Sequence, residues 1–457
     1  MSFRDYRLEH DSMGPVPVPK DKFWGAQTQR SLGNFNIGKE TMPSLLISAL
    51  FFIKLCCARA NNELLPEKMT KEKLQLIEKA FENRDKLIET EFPLKVWQTG
   101  SGTQTNMNVN EVIANYASSL SDTVKLHPND DINMSQSSND VFPSAIHIMC
   151  RIYMKTVIAY TNETIRQLKV LEKKFKGIVK SGRTHLQDAT PIEFSQEISG
   201  WRASLEADVK NIELALERVK RLAIGGTAVG TGLNAPKDFD KVVCKHLNLL
   251  LEEEYEPAEN KFQALSSKGE VVFAHGAIKA LACDLMKIAN DVRWLASGPR
   301  CGLSEITIPS NEPGSSIMPG KVNPTQCEAV TMIATQVMGN DATIGICASQ
   351  GNFELNVFMP VIAYNFSQSC ELLMSVISSF TKKCIMGIKV NEKKMKKNLH
   401  NSLMLVTALT PYIGYEKCAE IAKLAHAEGL SLKEATLKLG YMTEEEFDMR
   451  FRPEEMI

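Results

Sequence analysis

Apolar side chains recur with a helical period between Lys261 and Ser297. Their spacing alternates between steps of four and three residues, at Ala274, Ile278, Leu281, Leu285, Ile288, Val292 and Leu295. Such spacing places a continuous apolar stripe on one side of an α-helix and is typical of helices that pack in bundles. The pattern predicts a helix of about thirty residues, roughly 45 Å long at 1.5 Å per residue.

A second long stripe follows the segment Thr190–Glu193, in which Thr190 can cap a helix, Pro191 can take its first position and Glu193 can complete a capping box. The stripe consists of Ile198, Trp201, Leu205, Val209, Ile212, Leu216 and Val219. Similar patterns begin after Asn139, after Pro324 and near Leu355. We therefore predict about five long helices between residues 138 and 389, with no run of alternating β-branched residues to compete with them.

The pattern as a whole predicts an all-α protein with three domains. Residues 1–137 form a mixed, mostly helical domain, residues 138–389 a central five-helix bundle, and residues 390–457 a small helical domain with helices at Leu432–Leu439 and Glu444–Arg450. The glycine-rich run Gly225–Gly232 follows a helix and lacks the spacing of a dinucleotide-binding loop, so we interpret it as an interhelical loop. A bundle with broad apolar faces favours self-association.

Composition narrows the functional classes. The 53 basic and 54 acidic side chains leave a net charge of −1, so no global field attracts nucleic acid or an anionic membrane. The 11 cysteines include no C-x-x-C pair, which argues against a zinc site and favours buried, reduced thiols, although distant cysteines could still converge on an iron–sulfur cluster. The first ten residues resemble neither a signal nor a transit peptide, and the apolar stretch Leu45–Ile53 stops at Lys54, too short to span a bilayer. We expect a soluble, cytoplasmic protein, or a mitochondrial matrix protein if a transit peptide has been removed.

The segment Gly314–Pro324 combines small hydroxyls, a cation and an amide with two glycines and two prolines, and Pro313 directly precedes it. Glycine at 314 and 320 permits conformations closed to other residues, and proline at 313, 319 and 324 fixes φ and removes a donor. Free main-chain amides beside Lys321 would form a concavity that favours negative charge. The segment is therefore either a surface turn or a binding loop for a small dianion.

Three further polar segments carry candidate chemistry. Thr99–Asn106 is rich in neutral donors and precedes a helix expected near Glu111, so it either caps that helix or binds a ligand. Gln136–Asp140 lies ahead of a long helix and holds more capping residues than one helix start requires; such a start also binds anions. Gly182–Asp188 contains His185, one of eight histidines, which on this basis alone is either structural or catalytic.

The segment Gly314–Pro324 continues into Thr325-Gln326-Cys327-Glu328. Here the sequence resembles the class II, metal-independent fumarases over nearly its whole length. The Gly-Ser-Ser core with its lysine and asparagine is shared by the fumarase/aspartase superfamily, whereas Thr325–Glu328 is similar to the fumarase version. The resemblance implies an all-helical homotetramer with a 20-helix core, active sites shared between subunits, and reversible hydration of fumarate to L-malate, as in the tricarboxylic acid cycle. It implies no metal and no organic cofactor.

The resemblance also implies roles for individual residues. The catalytic group comprises Ser315 as the base, His185 in proton chemistry and Glu328 as the carboxylate that orients His185. Residues implied to bind substrate are Ser101, Gly102, Thr103, Ser137, Ser138, Asn139, Thr184, Ser316, Lys321, Val322 and Asn323. An accessory dicarboxylate site is implied at His127, Pro128, Asn129 and Asp130. For Glu328 a structural alternative stands, because Thr325-x-x-Glu328 is itself a capping-box pattern.

Two other functions compete with fumarate hydration. Aspartate ammonia-lyase, or another fumarate-releasing lyase of the superfamily, differs in its leaving group, and only Thr325, Gln326 and Cys327 favour water over ammonia. A catalytically silent structural relative would keep the bundle without the chemistry. The sequence departs from the family pattern at Met134, where lysine is common, at Tyr412, where histidine is common, and in a short segment between Ser118 and His127.

Overall fold

The computed structural model describes residues 5–457, and this part of the chain is mostly helical. The α-helices are, in chain order, α1 (Ala26–Asn34), α2 (Ser44–Leu64), α3 (Lys71–Glu82), α4 (Arg84–Glu91), α5 (Thr103–Ser119), α6 (Ser138–Lys174), α7 (Phe194–Arg218), α8 (Phe239–Leu251), α9 (Lys261–Ser266), α10 (Gly269–Leu295), α11 (Thr325–Ala348), α12 (Met359–Lys383), α13 (Glu392–Asn401), α14 (Thr410–Ile413), α15 (Tyr415–Glu428), α16 (Leu432–Lys438) and α17 (Glu444–Arg450). A π-helix spans Pro128–Ile132, and 3₁₀ helices span Ile385–Gly387, Leu403–Leu409 and Pro453–Glu455.

The strands are short and pair two at a time. They are β1 (Tyr6–Asp11), β2 (Gly14–Pro19), β3 (Val179–Thr184), β4 (Gln187–Glu193), β5 (Arg221–Leu222), β6 (Glu256–Pro257), β7 (Ile306–Thr307), β8 (Gly351–Asn352), β9 (Leu355–Asn356) and β10 (Lys389–Val390). The pairs β1–β2, β3–β4, β7–β10 and β8–β9 are antiparallel, and β5–β6 is parallel. None of these pairs extends into a larger sheet within residues 5–457, so helices form the framework.

The five predicted long helices are α6, α7, α10, α11 and α12. All residues of the two predicted apolar stripes are buried, from Ala274 to Leu295 in α10 and from Ile198 to Val219 in and just after α7. This outcome confirms the periodicity argument, because a face repeating every 3.6 residues can be removed from water only by packing against neighbouring helices.

Two helix starts were predicted wrongly from local signals. Thr190–Glu193 does not cap a helix but belongs to β4, in which Pro191–Glu193 pair with Val179–Ser181, and α7 begins at Phe194. The Gln196 side chain reaches back to the Glu193 amide at 2.9 Å and supplies the helix start instead. The helix predicted from Lys261 is interrupted after Ser266, because the Lys268 ammonium donates to the carbonyls of Ala264, Leu265 and Ser267 and so ends α9.

The helix expected near Glu111 begins eight residues earlier, at Thr103. Its first two turns bury polar side chains, namely Thr105, Asn106, Asn108 and Asn110. A helix whose buried face is polar has no apolar stripe, so hydrophobic periodicity does not detect it.

The chain folds as two compact units that alternate along the sequence. One comprises residues up to Ile158 together with Lys210–Ala280 and Thr335–Leu373; the other comprises Ala159–Val209, Leu281–Ala334 and Met374–Ile457. The domain boundaries proposed at residues 137 and 389 stay a prediction.

Polar bonds join the long helices inside the first unit. Tyr153 of α6 lies 2.8 Å from the Ser367 hydroxyl of α12. His275 of α10 bonds Asp341 of α11 at 2.9 Å and Ser369 of α12 at 2.8 Å. These bonds satisfy buried polar atoms and fix the helices in register.

The second unit has equivalent bonds and a separate core near the C-terminus. Trp201 of α7 donates to Asp291 of α10 at 2.8 Å, and Thr164 of α6 lies 2.6 Å from Thr381 of α12.

The C-terminal helices enclose their own apolar cluster, formed by Leu399, Leu405, Val406, Leu409, Cys418, Ile421, Ala425, Leu432, Ala435, Met442 and Phe447. The short helices predicted at 432–439 and 444–450 are confirmed.

Among residues 5–457, α2 alone is long and apolar enough by length and composition to cross a membrane. Most of it is buried inside the protein, as expected of a core helix. The apolar stretch considered in the sequence extends only up to Lys54; in the structure this lysine is buried and the helix continues to Leu64.

Candidate functional site

A chain of hydroxyl groups joins the turn before α5 to the first residue of α6. The Ser101 and Thr103 hydroxyls lie 2.8 Å apart, and Thr103 lies 2.8 Å from the Ser138 hydroxyl. Gly102 permits this arrangement because it adopts the left-handed conformation at φ 74°, and a Cβ there would lie 2.4 Å from Phe142. The structure thus brings together four of the predicted substrate-binding residues, Ser101, Gly102, Thr103 and Ser138.

Asp140 fixes the start of α6. Its carboxylate accepts the Ser137 amide at 2.9 Å and the amides of Gly225 and Thr227, each also at 2.9 Å. Burial raises the pKa of Asp140 to about 6, although these three amides favour the charged form. Asn139 adds a bond from its side-chain amide to the Ala228 carbonyl at 2.8 Å. The glycine-rich run is therefore an interhelical loop, as predicted, and its amides hold the N-terminus of α6 in place.

These residues open onto a cavity of about 590 Å³. Neutral amides and hydroxyls dominate its lining, which consists of Lys68, Thr103, Asn106, Met107, Asn129, Asp130, Asn133, Met134, Ser135, Gln136, Ser137, Ser138, Thr227, Ala228, Leu233 and Asn234. Neutral donors at a helix N-terminus suit a carboxylate, since the macrodipole and the free amides act in the same direction. The cavity is polar and large enough for a small organic acid.

The predicted accessory residues form a tight turn at the start of the π-helix. His127 Nδ1 accepts the Asp130 amide at 3.2 Å and lies 3.1 Å from the Asp130 carboxylate. Asn129 and Asp130 line the same cavity as Ser137 and Ser138. A separate accessory dicarboxylate site stays a prediction.

His185 lies at the tip of the β3–β4 hairpin. Thr184 pairs with Gln187, so His185 and Leu186 are the two turn residues, and both have positive φ, 56° and 61°. Tight turns of this kind usually carry Asn and Gly, because other side chains are strained there. Strain held at the tip of a hairpin is a signature of functional positions.

An ion network centred on a buried carboxylate stabilises the β3–β4 hairpin. Arg183 makes two bonds to the Glu305 carboxylate, at 2.6 and 3.0 Å, and Lys180 lies 3.4 Å from the same carboxylate. Asn398 of α13 completes the set at 3.0 Å. Sequence reasoning missed Glu305 because no local motif marks it; it lies 122 residues from Arg183 along the chain.

The loop Gly314–Pro324 folds back on itself through a bridge between Gly314 and Pro319. Gly314 has φ 94°, and a Cβ there would lie 2.4 Å from the Lys321 carbonyl, so no other residue fits. Ser315 is half-buried and its hydroxyl accepts the Ile317 amide at 3.4 Å. Ser316, Lys321 and Val322 are exposed, and Asn323 is half-buried. The loop is a shaped hairpin, with Ile317 82% exposed at its tip.

The capping-box alternative for Glu328 is not realised. The Thr325 hydroxyl donates to Glu312 at 2.7 Å, and the Glu328 amide bonds the Pro324 carbonyl rather than a side chain. Within residues 5–457 the side chains of Glu328 and His185 make no hydrogen bond or ion pair, to each other or to any other residue. The orienting role assigned to Glu328 stays a prediction.

The candidate residues fall into two groups. Ser101, Gly102, Thr103 and Ser137–Asn139 belong to the first compact unit; Thr184, His185, Ser315, Ser316, Lys321–Asn323 and Glu328 belong to the second. Nine of the eleven cysteines are buried, as predicted, and within residues 5–457 no cysteine forms a disulfide bond. Among residues 5–457, no group of three or more His, Cys, Asp or Glu side chains is placed to hold a metal ion.

Comparison with known proteins shows which protein family the chain resembles. Residues 14–339 match the model of a family described as lyase, and residues 405–457 match that of the fumarase C C-terminus. The fumarate hydratase class II of Oceanobacillus iheyensis is 56% identical and that of Bacillus subtilis 55%, each over 99% of both chains. The crystal structure of a class II fumarase from Schistosoma mansoni superimposes with a TM-score of 0.96 at 42% identity, again over 99% of both chains.

The chain belongs to the family of class II fumarate hydratases. It is thus a lyase with the all-α fumarase/aspartase-like fold, and the sequence-based predictions of family, fold class and enzyme class are confirmed.

Proposed function

We propose that this chain catalyses the reversible, stereospecific hydration of fumarate to L-malate. The observation that supports the proposal most strongly is the 56% identity to a fumarate hydratase class II over 99% of both chains. The polar cavity at the start of α6, lined by Thr103, Ser137 and Ser138, has the size and donor chemistry for one carboxylate end of a four-carbon diacid.

Dehydration of malate begins with the loss of a proton from the carbon beside a carboxylate. The electron pair moves into that carboxylate, which becomes an aci-carboxylate with two negative charges. Lys321, Asn323 and free amides of the loop Gly314–Pro324 supply a cation and donors for this charge. The intermediate then collapses to fumarate as the hydroxyl leaves the neighbouring carbon.

Ser315 is the proposed base that removes the carbon-bound proton. A serine hydroxyl is ordinarily too weak for this task, so the electropositive loop must stabilise its alkoxide. His185, oriented by Glu328, gives a proton to the leaving hydroxyl directly or through water. Ser101, Gly102, Asn139, Thr184, Ser316 and Val322 hold the substrate's two carboxylates in place.

The proposed active unit is a homotetramer whose sites are completed by residues from more than one subunit. Two exposed apolar side chains support this assembly: Ile317 at the tip of the loop Gly314–Pro324 is 82% exposed, and Phe353 in the turn between β8 and β9 is 93% exposed in the single chain. Large apolar side chains in such positions mark interaction surfaces. Sedimentation of the purified chain measures the number of subunits.

The test of function is a paired assay of the purified chain with L-malate and with L-aspartate, following the ultraviolet absorbance of fumarate. We expect rapid fumarate formation from malate and none from aspartate. Ser315→Ala and His185→Asn should each lower kcat by a factor of about a hundred or more while the assembly sediments as the wild type does. Near-normal turnover by Ser315→Ala would remove Ser315 as the base, and ammonia release from aspartate would overturn the hydratase assignment.

A further inference from the structure

The core helix α2 contains one ammonium group deep inside the protein. Lys54 is 1% exposed, and most of the other buried residues of α2 are apolar. Its Nζ donates to Asn133 Oδ1 and to Gln136 Oε1, each at 2.9 Å. Burying a charge is costly unless the charge is paired or hydrogen-bonded.

The two amides that accept from Lys54 brace the turn that leads into α6. With their oxygens turned to the ammonium, their nitrogens point at the main chain: Asn133 Nδ2 bonds the Gln136 carbonyl, and Gln136 Nε2 bonds the carbonyls of Ile132 and Met134. Asn133 Oδ1 also accepts from Asn106 and Asn110, at 3.2 Å each. The ammonium therefore fixes which way both amides face.

Asn61, two turns after Lys54 on the same helix, holds the turn from the same side. Its side chain donates to the Met134 carbonyl at 3.0 Å and accepts from the Ser135 hydroxyl at 2.8 Å. Ser135 itself has φ 64°, so the turn is strained and needs such support. Ser137 and Ser138 follow directly.

Only the side chains that bond the Lys54 ammonium separate it from the cavity. Asn106, Asn133 and Gln136 all line it, together with Ser137 and Ser138. Only one lysine, Lys68, is itself among the lining residues, and a carboxylate bound there would meet mostly neutral donors. A fixed positive charge behind those donors strengthens anion binding in a low-dielectric site.

We propose that Lys54 is a positioning residue for substrate: its ammonium fixes the Asn133–Gln136 turn and supplies the buried positive charge that makes this cavity prefer a dicarboxylate. The proposal deepens the proposed function and rests on it for the identity of the substrate. Lys54 does not touch the reacting atoms in this scheme.

Burial lowers the pKa of Lys54 to about 7. The charge of Asp140 on α6 favours the ammonium, whereas the Cys57 thiol on the same helix is neutral because burial raises its pKa. The other side chains that meet it, from α5 and the turn before α6, are neutral amides. An anion in the cavity favours the protonated lysine, so affinity for a dicarboxylate should be full below about pH 7 and decline as the pH rises above it.

A purely structural alternative makes Lys54 the counter-charge of buried Asp140. The hydrogen bonds argue otherwise, because Asp140 accepts three main-chain amides and the Lys54 bonds go to Asn133 and Gln136. A counter-charge role would affect stability alone, whereas a positioning role changes substrate affinity.

The decisive variant is Lys54→Met, which keeps the length of the side chain and removes the charge. The matched control is Lys268→Met: Lys268 is as deeply buried and its pKa is also lowered to about 7, but it bonds only main-chain carbonyls and is not among the residues that line the cavity. Both variants are assayed with fumarate and titrated calorimetrically with succinate, an unreactive dicarboxylate, and with butyrate, its monocarboxylate counterpart.

For Lys54→Met we expect KM for fumarate and Kd for succinate to rise roughly tenfold or more, kcat to change less than about threefold, and the preference for succinate over butyrate to fall by a similar factor. Lys268→Met should keep the wild-type affinities. A Lys54→Met variant with wild-type succinate affinity overturns the proposal, and so does one that loses kcat at constant KM.

A second measurement covers the case in which Lys54→Met does not fold. The wild-type chain is then titrated with succinate as a function of pH, and its Kd should rise roughly tenfold between about pH 6 and pH 8.5. A flat profile overturns the proposal. Succinate binding reports on Lys54 even if the wild type fails to hydrate fumarate, so failure of the proposed function is recognised separately.

Discussion

Glu305 is the residue whose removal should most disturb the hairpin that carries His185. It is fully buried and accepts both arms of the Arg183 guanidinium as well as the Asn398 amide, with Lys180 3.4 Å away. Glu305→Gln keeps the shape of the side chain and removes its charge. One carboxylate oxygen becomes an amide nitrogen that faces a donor, and two cations, the half-buried Arg183 and the buried Lys180, lose their shared partner.

The cost follows from the burial of the network. Breaking a buried ion pair by removing one partner costs about 3–5 kcal/mol, because the remaining charge is left uncompensated. Arg183 is 14% exposed and Lys180 keeps Glu197 at 2.7 Å, so we expect the lower end, about 3 kcal/mol. For a unit of this size that corresponds to a fall of roughly 6–12 °C in the midpoint of thermal unfolding.

The effect should depend on pH in a defined direction. Burial by itself would raise the pKa of Glu305, but the hydrogen bond from Arg183 and the charge of Lys180 outweigh it and hold the pKa below its ordinary value of 4.5. The stabilisation is therefore fully present above that value and is lost as the pH falls through the folded-state pKa. Wild type and variant should converge in stability in acid.

The assay is thermal unfolding of both proteins at neutral and acidic pH, with hydrogen exchange of the β3–β4 amides as a local readout. Glu163→Gln is the matched control, since Glu163 pairs with Arg166 on the exposed surface of the same unit and its loss should change nothing measurable. A Glu305→Gln variant within about 1 kcal/mol of the wild type at neutral pH would refute the reasoning.

Three further predictions concern the core, the helix start and the cofactor requirement. Gly100→Ala should prevent recovery of folded protein or lower the unfolding midpoint sharply, since the new Cβ would lie 1.3 Å from the Val357 carbonyl oxygen; the exposed Gly33→Ala, which meets nothing within 4 Å, should leave the midpoint unchanged or raised. Asp140→Asn should lower the midpoint and raise KM, because an amide nitrogen would face a main-chain donor that the carboxylate now accepts; an unchanged KM would separate this helix start from substrate binding. Exhaustive chelation should leave full hydratase activity, because the proposed chemistry uses only side chains and amides; activity lost to chelator and restored by iron or zinc would contradict it.

The sequence alone determined the elements whose signal is local. The stripes of α7 and α10, the short C-terminal helices and the glycine-rich loop were predicted because periodicity and turn chemistry depend on neighbouring residues. The segment after Gly314 likewise carried the family resemblance, and the comparisons confirmed the family.

Tertiary structure decided what depends on distant partners. Thr190–Glu193 has the composition of a helix start, but Val179–Ser181 offers it a strand partner. Thr103 begins a helix whose first turns bury amides, which an apolar pattern does not show. Lys54 resembled the end of an apolar run, and only Asn133 and Gln136, some eighty residues away, turn it into a buried hydrogen-bonded charge. Long-range contacts of this kind select among conformations that are locally similar in energy, and the sequence of one segment does not contain that choice.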